Sequence, residues 1–216
     1  MLDISKKEKK VQKKKENKTN MANYKHIIPF IKLAEGGLVN DPADNGGETN
    51  KGITYKVWCS YFGYDVHKKF IEMSDENWGL IFKKLFWDKI LGDQINSQRI
   101  ADVIADWVWG SGCYYPELDI QIILNHLFNQ HLSEDGNFGQ QSIASLNNAD
   151  EETLYNDIIA RRFQYLDDIT TANVNAYEKL HPNFTPEDLK KYTDERFING
   201  WKNRMNNLIA YEKAQA

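Results

Sequence analysis

"KLAEGGLVNDPADNGGETNKGIT", from Lys32 to Thr54, places one glutamate before two glycines, then packs two aspartates and a second glycine pair into the residues that follow. Upstream, Tyr24, Ile27, Ile28 and Ile31 recur at helical spacing, and a glycine after the last periodic residue is a helix stop. Glu35 therefore falls at the end of a first helix. Asn40-Asp41-Pro42 and Asn45-Gly46-Gly47 then call for a loop or short hairpin from Leu38 to Lys51. The negative end of a helix and a buried cleft both favour the acid form of a carboxyl group, which a glycosidase needs to protonate a leaving oxygen. A loop folded back on the helix end would bring an aspartate opposite Glu35. Asp44 is the candidate second carboxylate and Asp41, beside Pro42, the reserve; Thr49 could hold a water through its hydroxyl. An isolated Glu before a glycine cap is also a common surface arrangement, and either aspartate could simply close an Asx turn.

Downstream the helical period dominates. A second helix fits Thr54 to Phe62, and a third starts at Ser74 as N-cap and runs through "WGLIFKKLFW". A fourth carries Ile100, Val103, Ile104, Trp107 and Val108 and stops at Gly110 to Gly112. Pro116 opens a fifth, with Ile120, Ile123, Leu124, Leu127 and Phe128 on one face. "EDGNFG" is a turn before a short helix, since the later acidic ligand of a calcium loop is missing. A long helix after Asp150 gives way to a polar segment reaching Thr185, "TPED" caps a short helix, and Phe197, Trp201, Met205 and Leu208 mark the last one. The fold class is mainly α, without internal repeats.

The 216 residues carry a net charge of −4, but residues 1 to 20 alone hold eight Lys against Asp3, Glu8 and Glu16. That tail, nearly free of apolar residues, reads as a disordered extension, or as sequence upstream of a start at Met21. The acidic remainder argues against a nucleic-acid partner. No signal peptide and no membrane span is visible. Cys59 and Cys113 are too few for a disulfide framework, and the five His show no zinc-binding spacing, so no cofactor or metal is expected.

The opening stretch, "FWDKILGD" (86 to 93), "ADWVWGSG" (105 to 112), "DGNFGQQSIASLN" (135 to 147) and "FINGWKNRMNNL" (197 to 208) occur in the order seen in one family. The chain resembles glycoside hydrolase family 108, lysozyme-like N-acetylmuramidases and endolysins, with a C-terminal type 3 peptidoglycan-binding region. Gly110 stands where that family usually has Asn, and Ser142 where it has Thr.

The resemblance implies a lysozyme-like, two-lobed helical fold divided into a tail (1–22), a catalytic region (23–113) and a peptidoglycan-binding region (114–213). It puts the catalytic acid on Glu35, supported by Asp44 and Thr49. Among the aromatics near the motifs, Tyr55, Trp58, Trp107 and Trp109 could face sugar. Trp107 fits the buried stripe better, which leaves Tyr55, Trp109 and Ser111 as substrate-binding candidates. Asp106 would brace the Glu35 loop or lie on the surface. The implied partner is a peptidoglycan glycan strand, met by a monomer made in the cytoplasm, with a holin or a secretion system giving access to the wall. A non-catalytic wall-binding protein and a lytic transglycosylase are the alternatives.

Overall fold

In the computed structural model, residues 21–35, 48–63 and 67–215 are described. The lysine-rich tail, Asp41 and Asp44 lie outside them. Helix α1 is Ile28–Ala34. It starts later than the periodicity predicts because Asn23 to Ile27 form a turn, with the His26 N–H bonded to Asn23 O at 3.0 Å. Pro29, which lacks an N–H, sits in the first helical turn, where none is needed.

A two-stranded hairpin follows, β1 (Thr49–Asn50) and β2 (Ile53–Thr54), antiparallel and with Thr49 opposite Thr54. It lies at the very end of the expected loop and extends beyond it. Helix α2 (Tyr55–Phe62) is capped by the Thr54 hydroxyl, and a short α3 (His67–Ile71) not marked by any sequence pattern comes next. Helix α4 (Asp75–Phe82) has Ser74 as its cap and continues into a π-helical turn, Lys83–Trp87, where one regular helix is expected.

Helix α5 (Gln98–Ser111) is the central element: every residue from Ile100 to Val108 is buried, aspartates included. Helices α6 (Tyr114–Phe128) and α8 (Glu151–Leu180) pack on it; α7 (Gln140–Asn148) packs on α6, α9 (Pro186–Tyr192) on α8, and α10 (Ile198–Gln215) on α8 while reaching α5 through Arg204. Helix α6 begins before Pro116, and Leu127, expected on its apolar face, is 60% exposed. Helix α8 runs straight through the segment that lacks an apolar period. Tertiary partners hold that end instead: Tyr177 stacks on Tyr192, and Asn173 accepts the Asp194 N–H at 2.9 Å. The expected turn at Asp135 to Gly139 is present and pinned by the buried Gln121, whose amide oxygen accepts both the Asp135 and Gly136 N–H groups. Gly139 is the N-cap of α7, and Ser142 is buried inside that helix, where its hydroxyl accepts from the Gln121 amide at 3.5 Å.

One continuous apolar core joins Ile27 and Ile31 of the N-terminal segment to Trp58, Trp78, Trp87 and Trp107, and on to Leu154, Ile158, Met205 and Leu208 of the last helices. Trp58 is 1% exposed and packs on Phe62 and Phe70, so it is a core residue and faces no sugar. Among the described residues, no helix is long and apolar enough to cross a membrane.

Candidate active site

Glu35 follows the last turn of α1 with extended backbone, as its C-cap. Two elements fix what lies against it. The first is the hairpin turn, Lys51-Gly52, both with positive φ. Asn50 donates to the carbonyls of Phe70 and Ile71 at 2.7 and 3.0 Å, and Trp78 Nε1–H donates to Lys51 O at 2.9 Å. Lys51 itself reaches Met73 O at 2.8 Å. These bonds hold Gly52 directly under the glutamate. A Cβ there would lie 2.3 Å from Glu35 Oε2 and 2.8 Å from Trp109 Cζ2, at a φ of +77° that side chains rarely adopt. Gly52→Ala is therefore expected to strain the turn and displace the carboxyl group, slowing hydrolysis by roughly 10- to 100-fold. Rates on purified cell wall beside a thermal melt check this, and an unchanged rate would show that the close approach is not functional.

The second element is the end of α5. Trp109 Nε1–H donates to Glu35 Oε1 at 2.7 Å, and its ring packs against Trp78, Phe82 and Phe86. Trp109, expected as a sugar platform, thus also orients the carboxyl group. On the far side, Arg204 of α10 brings Nη1 to 3.6 Å from the same oxygen. Its Nη2 and Nε hold Asp106 Oδ1 at 2.7 and 3.1 Å, while Arg162 of α8 takes Asp106 Oδ2 at 2.7 Å. Asp106 is fully buried, so it is not a surface charge, and among the described residues it accepts from Arg162 and Arg204. Burial pushes its carboxyl upward, but Arg162 and Arg204 outweigh this and hold it below the ordinary carboxylate range. The charges alternate in a chain: Arg162, Asp106, Arg204, Glu35.

These groups border a cavity of about 380 Å³. Glu35, Gly52, Phe86 and the end of α5 (Trp109, Gly110, Ser111) form one wall. Trp107 with Arg162, Leu166 and Ile169 of α8, and Trp201 and Arg204 of α10, form the other. Of the sequence candidates, the structure brings Glu35, Trp109 and Ser111 together at this cavity. Thr49 lies one residue beyond the turn on β1 and is not in its wall; Tyr55 packs on His67 and Phe70, also away from it. A Cβ at Gly110 would meet nothing within 4 Å among the described residues. Gly52, Arg162 and Arg204 are additions. Gly52 sits within "KGIT" and Arg204 within "FINGWKNRMNNL", but neither motif says that the two meet at Glu35.

Residues 28–112 match the family model of glycosyl hydrolase 108, and residues 116–206 match that of a predicted peptidoglycan domain. The chain thus carries a glycosyl hydrolase 108 region followed by a predicted peptidoglycan domain. It is accordingly a glycoside hydrolase that acts on peptidoglycan, and hence at the cell wall. Among solved structures it is similar to Brucella abortus SagA, with a TM-score of 0.61 and 20% identity over 87% of this chain and 91% of that one, a likeness of fold. No curated protein sequence matches it. The boundary between the two matched regions falls near the junction of α5 and α6, yet both regions line the cavity.

Proposed function

We propose that the chain is an N-acetylmuramidase, cleaving the β-1,4 bond between N-acetylmuramic acid and N-acetylglucosamine with Glu35 as general acid. The observation that carries this reading is the Glu35 carboxyl group in a walled cavity. One oxygen is engaged by Trp109 and faces Arg204, and the other lies on the Gly52 side. A glycosidase acid must be held still while its proton reaches the leaving oxygen. Asp44, supported by Thr49, is the proposed second group that stabilises the oxocarbenium-like transition state or positions water, with Asp41 in reserve. Trp109 and Ser111 are proposed to contact sugar at the cavity, and Tyr55 further along the glycan strand. The protein would work as a monomer, made in the cytoplasm, either as a phage-type endolysin released by a holin or as a wall-remodelling enzyme serving a secretion system.

The test is mass spectrometry of the ends released from purified peptidoglycan. Reducing N-acetylmuramic acid ends are expected. Reducing N-acetylglucosamine ends would move the cut to the other glycosidic bond. Anhydro-muramic ends would make the protein a transglycosylase, a reaction that needs no water-activating carboxylate.

A further inference from the structure

At the opposite end of α1 from Glu35, three chemically matched side chains converge from distant parts of the chain. His26, in the turn before α1, places Nδ1 2.5 Å from Asp102 Oδ2 of α5. Glu212 of α10 adds a third donor, and one ligand atom from each residue lies within 4.8 Å of the other two. We propose that His26, Asp102 and Glu212 are a binding site for a divalent transition-metal ion of the zinc class.

Two observations beyond proximity point to a ligand. Glu212 is 7% exposed, and among the described residues its Oε1 has no hydrogen-bond partner. A buried carboxylate oxygen without a donor is costly, and a metal ion would satisfy it. The site also lacks a committed cation. Arg99, whose charge faces Glu212, spends its guanidinium on Glu151 and Glu152 at 2.7 Å each. Asp102 also receives the Gln98 amide, at 2.8 Å on Oδ1, and shares a hydrogen bond with the Glu212 carboxyl group. Two adjacent buried carboxyl groups, sharing a proton that a metal ion would displace, thus face one imidazole.

The donor set selects the ion class. One imidazole nitrogen with two carboxylate oxygens suits zinc and its neighbours, whereas calcium and magnesium prefer all-oxygen shells. The His26 side chain is 27% exposed, which gives the ion an entry path and leaves room for a water as fourth ligand. Metal–ligand lengths near ~2 Å require the His26–Asp102 contact to open by a little under ~1 Å. The imidazole can swing by that amount because it lies on a turn outside any helix.

The position gives the ion a purpose. The three segments that would hold it are the three that build the charge chain at the active site. Asp102 is one turn before Asp106 on α5, Glu212 is two turns after Arg204 on α10, and His26 leads into the helix that ends at Glu35. The ion would tie these elements together at the end remote from the cavity. Sequence spacing cannot reveal the site, because its ligands span residues 26 to 212.

The test uses the full chain, stripped with a chelator and titrated with Zn²⁺ against a chromophoric competitor, with a thermal melt in parallel. One tight equivalent and a raised melting temperature are expected. His26→Gln and Glu212→Gln should each weaken binding by about tenfold or more. His126 and His131, close together on another surface, could also take zinc, and replacing both with Gln should leave the tight equivalent unchanged. No Zn²⁺ binding, or a tight equivalent that survives His26→Gln, would overturn the proposal. His26→Gln keeps the test valid if the buried Glu212 variant does not fold, since His26 is partly exposed.

Discussion

Glu35→Gln should leave a folded protein whose hydrolysis of purified peptidoglycan falls by about 10²- to 10⁴-fold. The amide has nearly the shape of the carboxyl group, and its oxygen can still accept the Trp109 Nε1–H. What it lacks is a proton to give. Because Glu35 is half-buried and reaches Arg204 only at 3.6 Å, replacing its carboxyl group by an amide costs little stability, and the melting temperature should move by a few degrees at most. The expected signature is therefore near-normal folding and wall binding with almost no product. Lysis at an undiminished rate would place the chemistry elsewhere.

Asp106→Ala should have the largest effect on stability. The carboxylate is fully buried and binds two guanidiniums, one of which, Arg162, belongs to a residue only 6% exposed. Burial already pulls the Arg162 pKa down against the opposing charge of Asp106. Removing Asp106 strands a buried cation, which costs about 3–5 kcal/mol. This is a large fraction of the ~5–15 kcal/mol that holds an ordinary domain folded. Urea unfolding measures it as a lowered midpoint with an unchanged slope. Asp106→Asn, which keeps an acceptor, should lie between the two. A loss under ~1 kcal/mol would mean that water or a rearranged Arg162 takes over the pairing. The Ala variant should also lose activity per folded molecule, since Arg204 is held against Glu35 through Asp106.

The helices were legible wherever a buried stripe and a cap coincide. Ser74, Thr54, Asp150 and Thr185 each accept the N–H bond their positions suggest, and the Thr185–Asp188 pair forms a full capping box. Periodicity fails where a helix is held by contacts at its end instead of an apolar face, as for the last turns of α8. Glu35 stands out in the sequence because glycines surround it. The rest of its site does not, for a physical reason. Asp106 looks like any aspartate beside an apolar stripe, and its partners lie 56 and 98 residues away. Trp109 is visibly off the stripe, which suggested a sugar contact, but a donor and a stacking platform are the same residue in a sequence. Asp44 and Asp41 fall outside the described residues, so the second carboxylate stays a proposal.

The same distance along the chain makes two matched regions look like a catalytic unit and a separate grip on the wall. The geometry makes them one site, because the region matched as a peptidoglycan domain supplies Arg162, Trp201 and Arg204 to the cavity. The most direct test is the turnover of soluble glycan fragments of peptidoglycan by Arg204→Ala, with Arg204→Lys alongside. Soluble fragments remove any contribution from wall adhesion. If Arg204 positions Glu35, kcat falls roughly 10- to 100-fold in the Ala variant, with KM changed far less and partial recovery in Lys, which restores charge without the planar fork. An unchanged kcat with weakened retention on intact wall would contradict the account, returning the C-terminal helices to a purely binding role.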